Sequence, residues 1–277
     1  LNATQARLGR RAWLAGGLAG AVSLLCTRGA RAADLPTLVA ASKGSVLPVG
    51  TYSPTGNPRF SFRGSGFVVG DGTLVATNYH VLPADFDLPS GPKVAVALRS
   101  EGNGGLGRLA RVVATDRGRD LALLQLDGPP LPALTLAPAG SAREGQSVAL
   151  IGFPIAGALG FAPVTHRGIV ASITTAALPA ATASQLDPRA LNQLRQGNFE
   201  LLQLDATAYP GNSGGPLLDA ETGQVLGIVN MVLVKAGRES AISSPTGISY
   251  AVPVAYLHEL LAAPRQVAAP GGAVQTR

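Results

Sequence analysis

Cysteine, aromatics, charge and bilayer-length apolar runs are all scarce in this chain of 277 residues. Its one cysteine, Cys26, lies near the N-terminus, so the rest of the chain can form no internal disulfide and no thiolate metal site. Three histidines, His80, His166 and His258, stand far apart without ligand spacing, which argues against a metal. No cofactor is expected. Charged residues make up 14% and aromatics 5%. The formal charge of +6 is misleading, because Arg7, Arg10, Arg11, Arg28 and Arg31 fall in the first 32 residues without an acid. The remainder is nearly neutral, with no basic stripe and no aromatic platform, so nucleic acid is not expected as a partner.

The longest apolar stretch near the N-terminus, Ala12 to Cys26, has 15 residues. A bilayer needs roughly 20. With its basic start and Ala30-Arg31-Ala32 as a cleavage site, the segment 1–32 reads as an export signal removed after Ala32. Arg10-Arg11 followed by Ala12-Trp13-Leu14 resembles a twin-arginine signal, with the general secretory route as the alternative. Leu25 is too large for a lipoprotein signal at Cys26. A periplasmic or secreted protein is expected, with no stable membrane anchor after cleavage.

What the chain has in abundance is apolar residues (46%), glycine (35) and proline (21), dispersed between short runs. That spacing predicts many turns and an all-β fold. Six strand-like runs cover 45–52, 59–70, 72–78, 93–100, 108–116 and 120–127, enough to close a small barrel. A second six cover 131–136, 146–153, 165–174, 199–205, 223–234 and 247–253. The reading is therefore two six-stranded antiparallel barrels, 33–127 and 128–263, with a Pro-rich crossover at 128–140. Asp187, Pro188 and Gly197 bracket a helix at 187–197. Val254, Leu257, Leu260 and Leu261 form one face of a C-terminal helix at 252–263. Residues 264–277 read as a disordered tail.

The chemistry centres on "YPGNSGGPLL", residues 209–218. Gly211-Asn212-Ser213-Gly214-Gly215 fits an α/β-hydrolase elbow, a chymotrypsin-like serine turn, or a plain tight turn. An elbow must open a helix, and "PLLDAETGQVLGIVN" reads instead as strand, turn, strand. The chymotrypsin order of histidine, acid and serine is met by His80 in "TNYHVL", Asp120 heading "DLALLQL", and Ser213. Asp116 is the rival acid. In this scheme Ser213 attacks a carbonyl, His80 takes its proton and Asp120 orients His80, while the amides of Gly211 and Ser213 form the oxyanion hole. His166 and His258 read as surface histidines.

"GSGFVV", "TNYHV", "DLALL", "GFP", "GIV", "YPGNSGGPL", "VLGI" and "ISYAVP" occur in the order that resembles bacterial trypsin-like proteases of the HtrA/Deg type, over roughly Leu38 to Leu261. The resemblance implies a double-barrel serine endopeptidase acting on unfolded or damaged envelope proteins, with protein or peptide substrates. It also implies a primary pocket based on Thr207, six residues before the serine, with Ile228 and Val229 narrowing its walls. Thr207 has no charge to recruit Arg or Lys, so small or medium aliphatic residues are expected before the cut. Asn212 stands where many secreted animal relatives have an aspartate that pairs with a freshly cut N-terminus, so no further activation cleavage is expected. Only 16 residues follow Leu261, so no PDZ domain is expected, and the oligomeric state is open. The rival from another class is a latent or inactive binding or chaperone module on the same fold.

Overall fold

The computed structural model describes residues 34–88, 90–98, 107–154, 161–175, 199–230 and 247–263. The chain divides into two units, Leu1–Ala32 and Ala33–Arg277, and all the described residues belong to the second. The leader at 1–32, the helix expected at 187–197 and the tail at 264–277 lie outside the described residues. Among the described residues there is no helix long and apolar enough to cross a membrane.

Twelve strands close into two antiparallel barrels. The first contains β1 (Val46–Tyr52), β2 (Phe60–Val69), β3 (Leu74–Asn78), β4 (Lys93–Ala97), β5 (Gly107–Asp116) and β6 (Leu121–Leu126), in the spatial order β1-β2-β3-β6-β5-β4. The second contains β7 (Ser147–Gly152), β8 (Val164–Thr175), β9 (Glu200–Asp205), β10 (Pro216–Asp219), β11 (Val225–Asn230) and β12 (Ile248–Pro253), in the order β10-β11-β12-β9-β8-β7. Closure leaves no unpaired sheet edge.

Strand alternation explains why several strands are apolar on both faces. Leu47, Val49, Val68, Val75, Ala122 and Leu124 fill the inside of the first barrel. Their neighbours Val46, Phe67, Val69, Leu74, Ala76, Leu121 and Leu123 point the other way, into one core shared with Leu150, Ile151, Leu217 and Ile228 of the second barrel. Successive side chains on a strand face opposite sides, so β1, β2, β3 and β6 bury both. The shared core presses the two barrels together.

Two elements differ from the sequence reading, the run 131–136 and a helix at 35–42, while the C-terminal helix agrees with it. The run 131–136 is not a barrel strand. It makes one parallel bridge, Leu136 to Val225, and its place in the second barrel is taken by the short β10. Pro129, Pro130 and Pro132 supply no amide hydrogens, so the segment cannot ladder. It stitches the barrels instead, its Leu134 amide donating to Val68 O and its Ala137 amide to Val225 O. A helix not expected, α1 (Leu35–Ser42), buries Leu38 against the turn at Gly223. The C-terminal helix α2 (Val254–Ala262) buries Val254, Leu257 and Leu260, with Leu261 packed beside them.

Candidate active site

His80 sits in a single 3₁₀ turn, Tyr79–Val81, directly after β3. Asp120 closes the turn between β5 and β6, and is the one non-glycine among the described residues with positive φ, +57°. Aspartate tolerates that left-handed conformation better than most side chains. Here it is held by hydrogen bonds to the Asp120 carbonyl from the Tyr79 amide (3.0 Å) and from Asn78 Nδ2 (3.0 Å). The kink turns the carboxylate back onto the histidine. Asp120 Oδ1 accepts the His80 backbone amide at 2.8 Å, and Oδ2 lies 2.5 Å from His80 Nδ1. A carboxylate at Nδ1 fixes the tautomer with the proton there and leaves Nε2 as the basic nitrogen. Both side chains keep some access to solvent, 21% for His80 and 14% for Asp120.

The rival acid is engaged elsewhere. Asp116 accepts from the Arg119 backbone amide (3.0 Å) and guanidinium (3.3 Å). Arg119 in turn reaches Glu259 at 2.7 Å and stacks over Tyr256, both on α2. Asp120 alone meets His80.

Asn230, the last residue of β11, is a part of the site that the sequence reading missed. It is 1% exposed, and its Nδ2 donates to Asp120 Oδ2 at 2.8 Å. The carboxylate of the first barrel is thus gripped by an amide of the second. The signal was available: a lone asparagine interrupts the apolar run "VLGIVNMVLV". A buried polar side chain at such a point needs a partner.

Ser213 lies in the turn before β10 and is 5% exposed. Its carbonyl accepts the Ser65 amide of β2 at 2.8 Å, which brings the serine turn onto the first barrel. Gly64 permits the close approach. A methyl group there would lie 2.7 Å from Val81 Cγ2, on the histidine's turn, and 3.0 Å from Ser213 O. The histidine turn and the serine turn therefore pack on the same bare α-carbon. Gly211 has φ +104°, a conformation open to glycine, and a β-carbon there would lie 2.4 Å from Phe153 O. Among the described residues the Gly211 amide has no acceptor, while Asn212 O accepts from the Gly215 amide at 2.9 Å. A trans peptide points its N–H opposite its C=O, so the Ser213 amide is aimed away from Gly215.

Of the three residues expected in the primary pocket, Thr207 is partly exposed, whereas Ile228 and Val229 are 0% exposed in the shared core. Their strand pairs with β10 and β12 on its two edges, and core packing leaves neither side chain any surface open to solvent. Nor are the two spare histidines simple surface residues. His258 Nε2 bonds Ala137 O at 2.9 Å, tying α2 to the crossover. His166, on β8, rests against Tyr209, with ring centroids 5.6 Å apart, and burial lowers its pKa.

The chain can now be set beside known proteins. The model of the trypsin-like peptidase domain matches residues 64–228. A DegP-like periplasmic serine endoprotease of Pseudomonas fluorescens is 32% identical over 191 residues, 69% of this chain and 32% of that protein. A serine protease of Synechocystis named HhoA is 31% identical over 205 residues, 73% of this chain and 42% of its own. The chain thus spans about a third to two-fifths of the length of these relatives. Among solved structures, the HtrA-type protease AlgW with a tripeptide superposes with TM-score 0.56 and 26% identity, covering 83% of this chain and 62% of that one. The family match opens at Gly64, beside the serine turn, and closes at Ile228, so it takes in His80, Asp120 and Ser213 together; this chain belongs to the trypsin-like peptidase family.

Proposed function

We propose that the protein is a serine endopeptidase of the HtrA/Deg type, exported to the bacterial envelope, that hydrolyses peptide bonds of unfolded or damaged proteins there. The observation that carries this reading is the commitment of His80 Nδ1 to Asp120, which leaves Nε2 as a base beside the serine turn. In the reaction, His80 Nε2 takes the Ser213 hydroxyl proton as Oγ attacks the substrate carbonyl. The amides of Gly211 and Ser213 receive the developing oxyanion, and Asp120 stabilises the imidazolium. His80 then gives its proton to the leaving amine, and a water hydrolyses the acyl-Ser213 ester by the same route in reverse. Export rests on the export-signal character of residues 1–32 and on the likeness to a DegP-like protease named as periplasmic.

Specificity rests on Thr207, which offers a hydroxyl and no charge. A lysine or arginine side chain would have to enter unpaired, so cleavage is expected after Val, Ile or Ala, with selectivity among them of about 1–3 kcal/mol per methylene at most. A fluorophosphonate probe on the purified chain should label Ser213, and denatured casein should be cut. Absence of labelling with and without casein refutes the enzyme reading. Cut sites mapped by mass spectrometry that fall mostly after Arg or Lys refute the pocket.

A further inference from the structure

We infer that Ser65, on β2 of the first barrel, is a positioning residue for the oxyanion hole of the second; this rests on the protease reading above. Ser65 is completely buried, so each of its polar atoms needs a partner. All of them have one, and the amide, the carbonyl and the hydroxyl each touch the serine turn. Its amide donates to Ser213 O at 2.8 Å. Its carbonyl accepts from Thr77 Oγ1 at 2.7 Å and would lie 2.1 Å from a β-carbon at Gly214, so that glycine packs directly on it. Its hydroxyl lies 3.0 Å from the Phe153 amide and 2.6 Å from Gly211 O.

The direction of the two hydroxyl bonds follows from the chemistry of the partners. Phe153 offers an N–H, so Ser65 Oγ accepts there. Its single proton must then go to Gly211 O. The chain of donors continues through the Gly211–Asn212 peptide, whose amide donates to Tyr209 O at 3.0 Å. That peptide plane is therefore pinned at both ends. The preceding peptide, which carries the Gly211 N–H, hinges on the Gly211 α-carbon, where glycine imposes little resistance to rotation. With Gly211 O anchored, the α-carbon on which that N–H turns is held in place, so one side of the hinge is fixed. With the hydroxyl removed, Gly211 O is a part-buried acceptor that has lost its donor, and shifting the turn, hinge included, becomes its remedy. Ser65 touches no substrate atom, yet it steadies the frame from which the amide that would receive the oxyanion projects.

A positioning role predicts a loss confined to the transition state. Ser65→Ala in the full chain should lower kcat roughly 10–100-fold, less than the 10²–10³ typical when an oxyanion donor itself is deleted. KM for a peptide substrate should stay within about twofold, since bound substrate places no full charge in the hole. Affinity for a peptide aldehyde, whose hemiacetal oxygen occupies the hole, should weaken by the same factor as kcat/KM. Ser65→Cys, which keeps a weak donor of similar shape, should restore part of the rate, and it carries the test if the alanine variant does not fold. Wild-type kcat together with wild-type aldehyde affinity in a folded Ser65 variant overturns the inference. So does a loss that appears in KM alone. Should the unsubstituted chain itself neither turn over nor label at Ser213, it is the protease reading that has failed, and Ser65 variants would then be indistinguishable from it.

Discussion

The two barrels contribute to the site in opposite ways. In the first, Asp120 has its carbonyl, Oδ1 and Oδ2 all engaged, the last by both His80 and Asn230. In the second, Asn212 stands next to Ser213, 0% exposed, with neither Oδ1 nor Nδ2 hydrogen-bonded among the described residues. A buried charge without partners costs several kcal/mol, so the acid of the first barrel is satisfied completely. A neutral amide without partners costs less, about 1–3 kcal/mol. The second barrel carries that cost in the loop proposed above to present two backbone amides. The difference teaches that the His80–Asp120 half is built as a rigid fixture, while the serine turn depends on its neighbours, Ser65 among them, to hold its shape.

The largest effects come from breaking the chemistry that both halves share. Ser213→Ala and His80→Ala should each lower kcat by roughly 10⁴–10⁶-fold, and Asp120→Asn by about 10⁴-fold, through loss of the correct His80 tautomer. Circular dichroism should show each variant folded. Normal casein digestion by Ser213→Ala would remove the proposed mechanism.

The contrast itself is sharpened by placing a charge on the unsatisfied side. Asn212→Asp buries a carboxylate with no donor, and should destabilise the fold by on the order of 3 kcal/mol at neutral pH. Such a carboxyl has a folded pKa above its unfolded value of about 3.9, so the deficit should vanish at low pH and grow as pH rises through that range. Denaturant midpoints for variant and parent at pH 4 and pH 7 measure it. Equal midpoints at both would mean that donors do surround position 212.

Removing one grip from the satisfied side should do less. Asn230→Ala deletes a charge-assisted bond to Asp120 Oδ2 but leaves both bonds from His80. A kcat loss of roughly 10-fold is expected, equivalent to about 1.4 kcal/mol of barrier. Steady-state assays on a peptide substrate would decide it, and an unchanged kcat would make the bond from the second barrel irrelevant to catalysis.

How much of this could be read from the chain follows the range of the forces involved. The double barrel is legible, because a period of two and closely spaced turn residues are local signals; the core that the barrels share is not, since it joins residues far apart in the chain. The run 131–136 misleads because its alternation suits a strand, while Pro132 and the two prolines before it withhold amides from a ladder. The short β10 was read as a strand after the serine but left out of the barrel count. Ile228 and Val229 were assigned to a pocket by their position after the serine, which says nothing about what covers them. Asn230 and Ser65 were missed for a different reason: Asn230 meets its partner across 110 residues and Ser65 meets Gly211 across 146. No local pattern encodes such a contact; only the unexplained polar residue in an apolar strand hints at one.

The smallest expected effect concerns pH and again separates the halves. His166 supports the serine turn through Tyr209, its Nε2 is buried without a hydrogen bond, and desolvation lowers its pKa from the usual 6.5. Protonation would place an N–H donor where no acceptor waits. Because the folded value lies below the unfolded one, the folded state binds fewer protons than the unfolded state as pH drops through that range. Stability should therefore be complete above about pH 6.5 and decline below it, down to the lowered folded pKa. Asp219, also in the second barrel, behaves in a separate window. Burial pushes its pKa up, but bonds from the Thr222 and Glu221 amides and from the Gln146 and Thr222 side chains outweigh burial and bring it below 3.8. Its contribution is present above that value and is lost only as pH falls through the lowered one. Urea unfolding at pH 7.5 and pH 5.5 isolates the histidine: the parent should lose stability between them, and His166→Gln should lose less. Equal losses in the two proteins would mean that His166 does not couple the serine turn to pH.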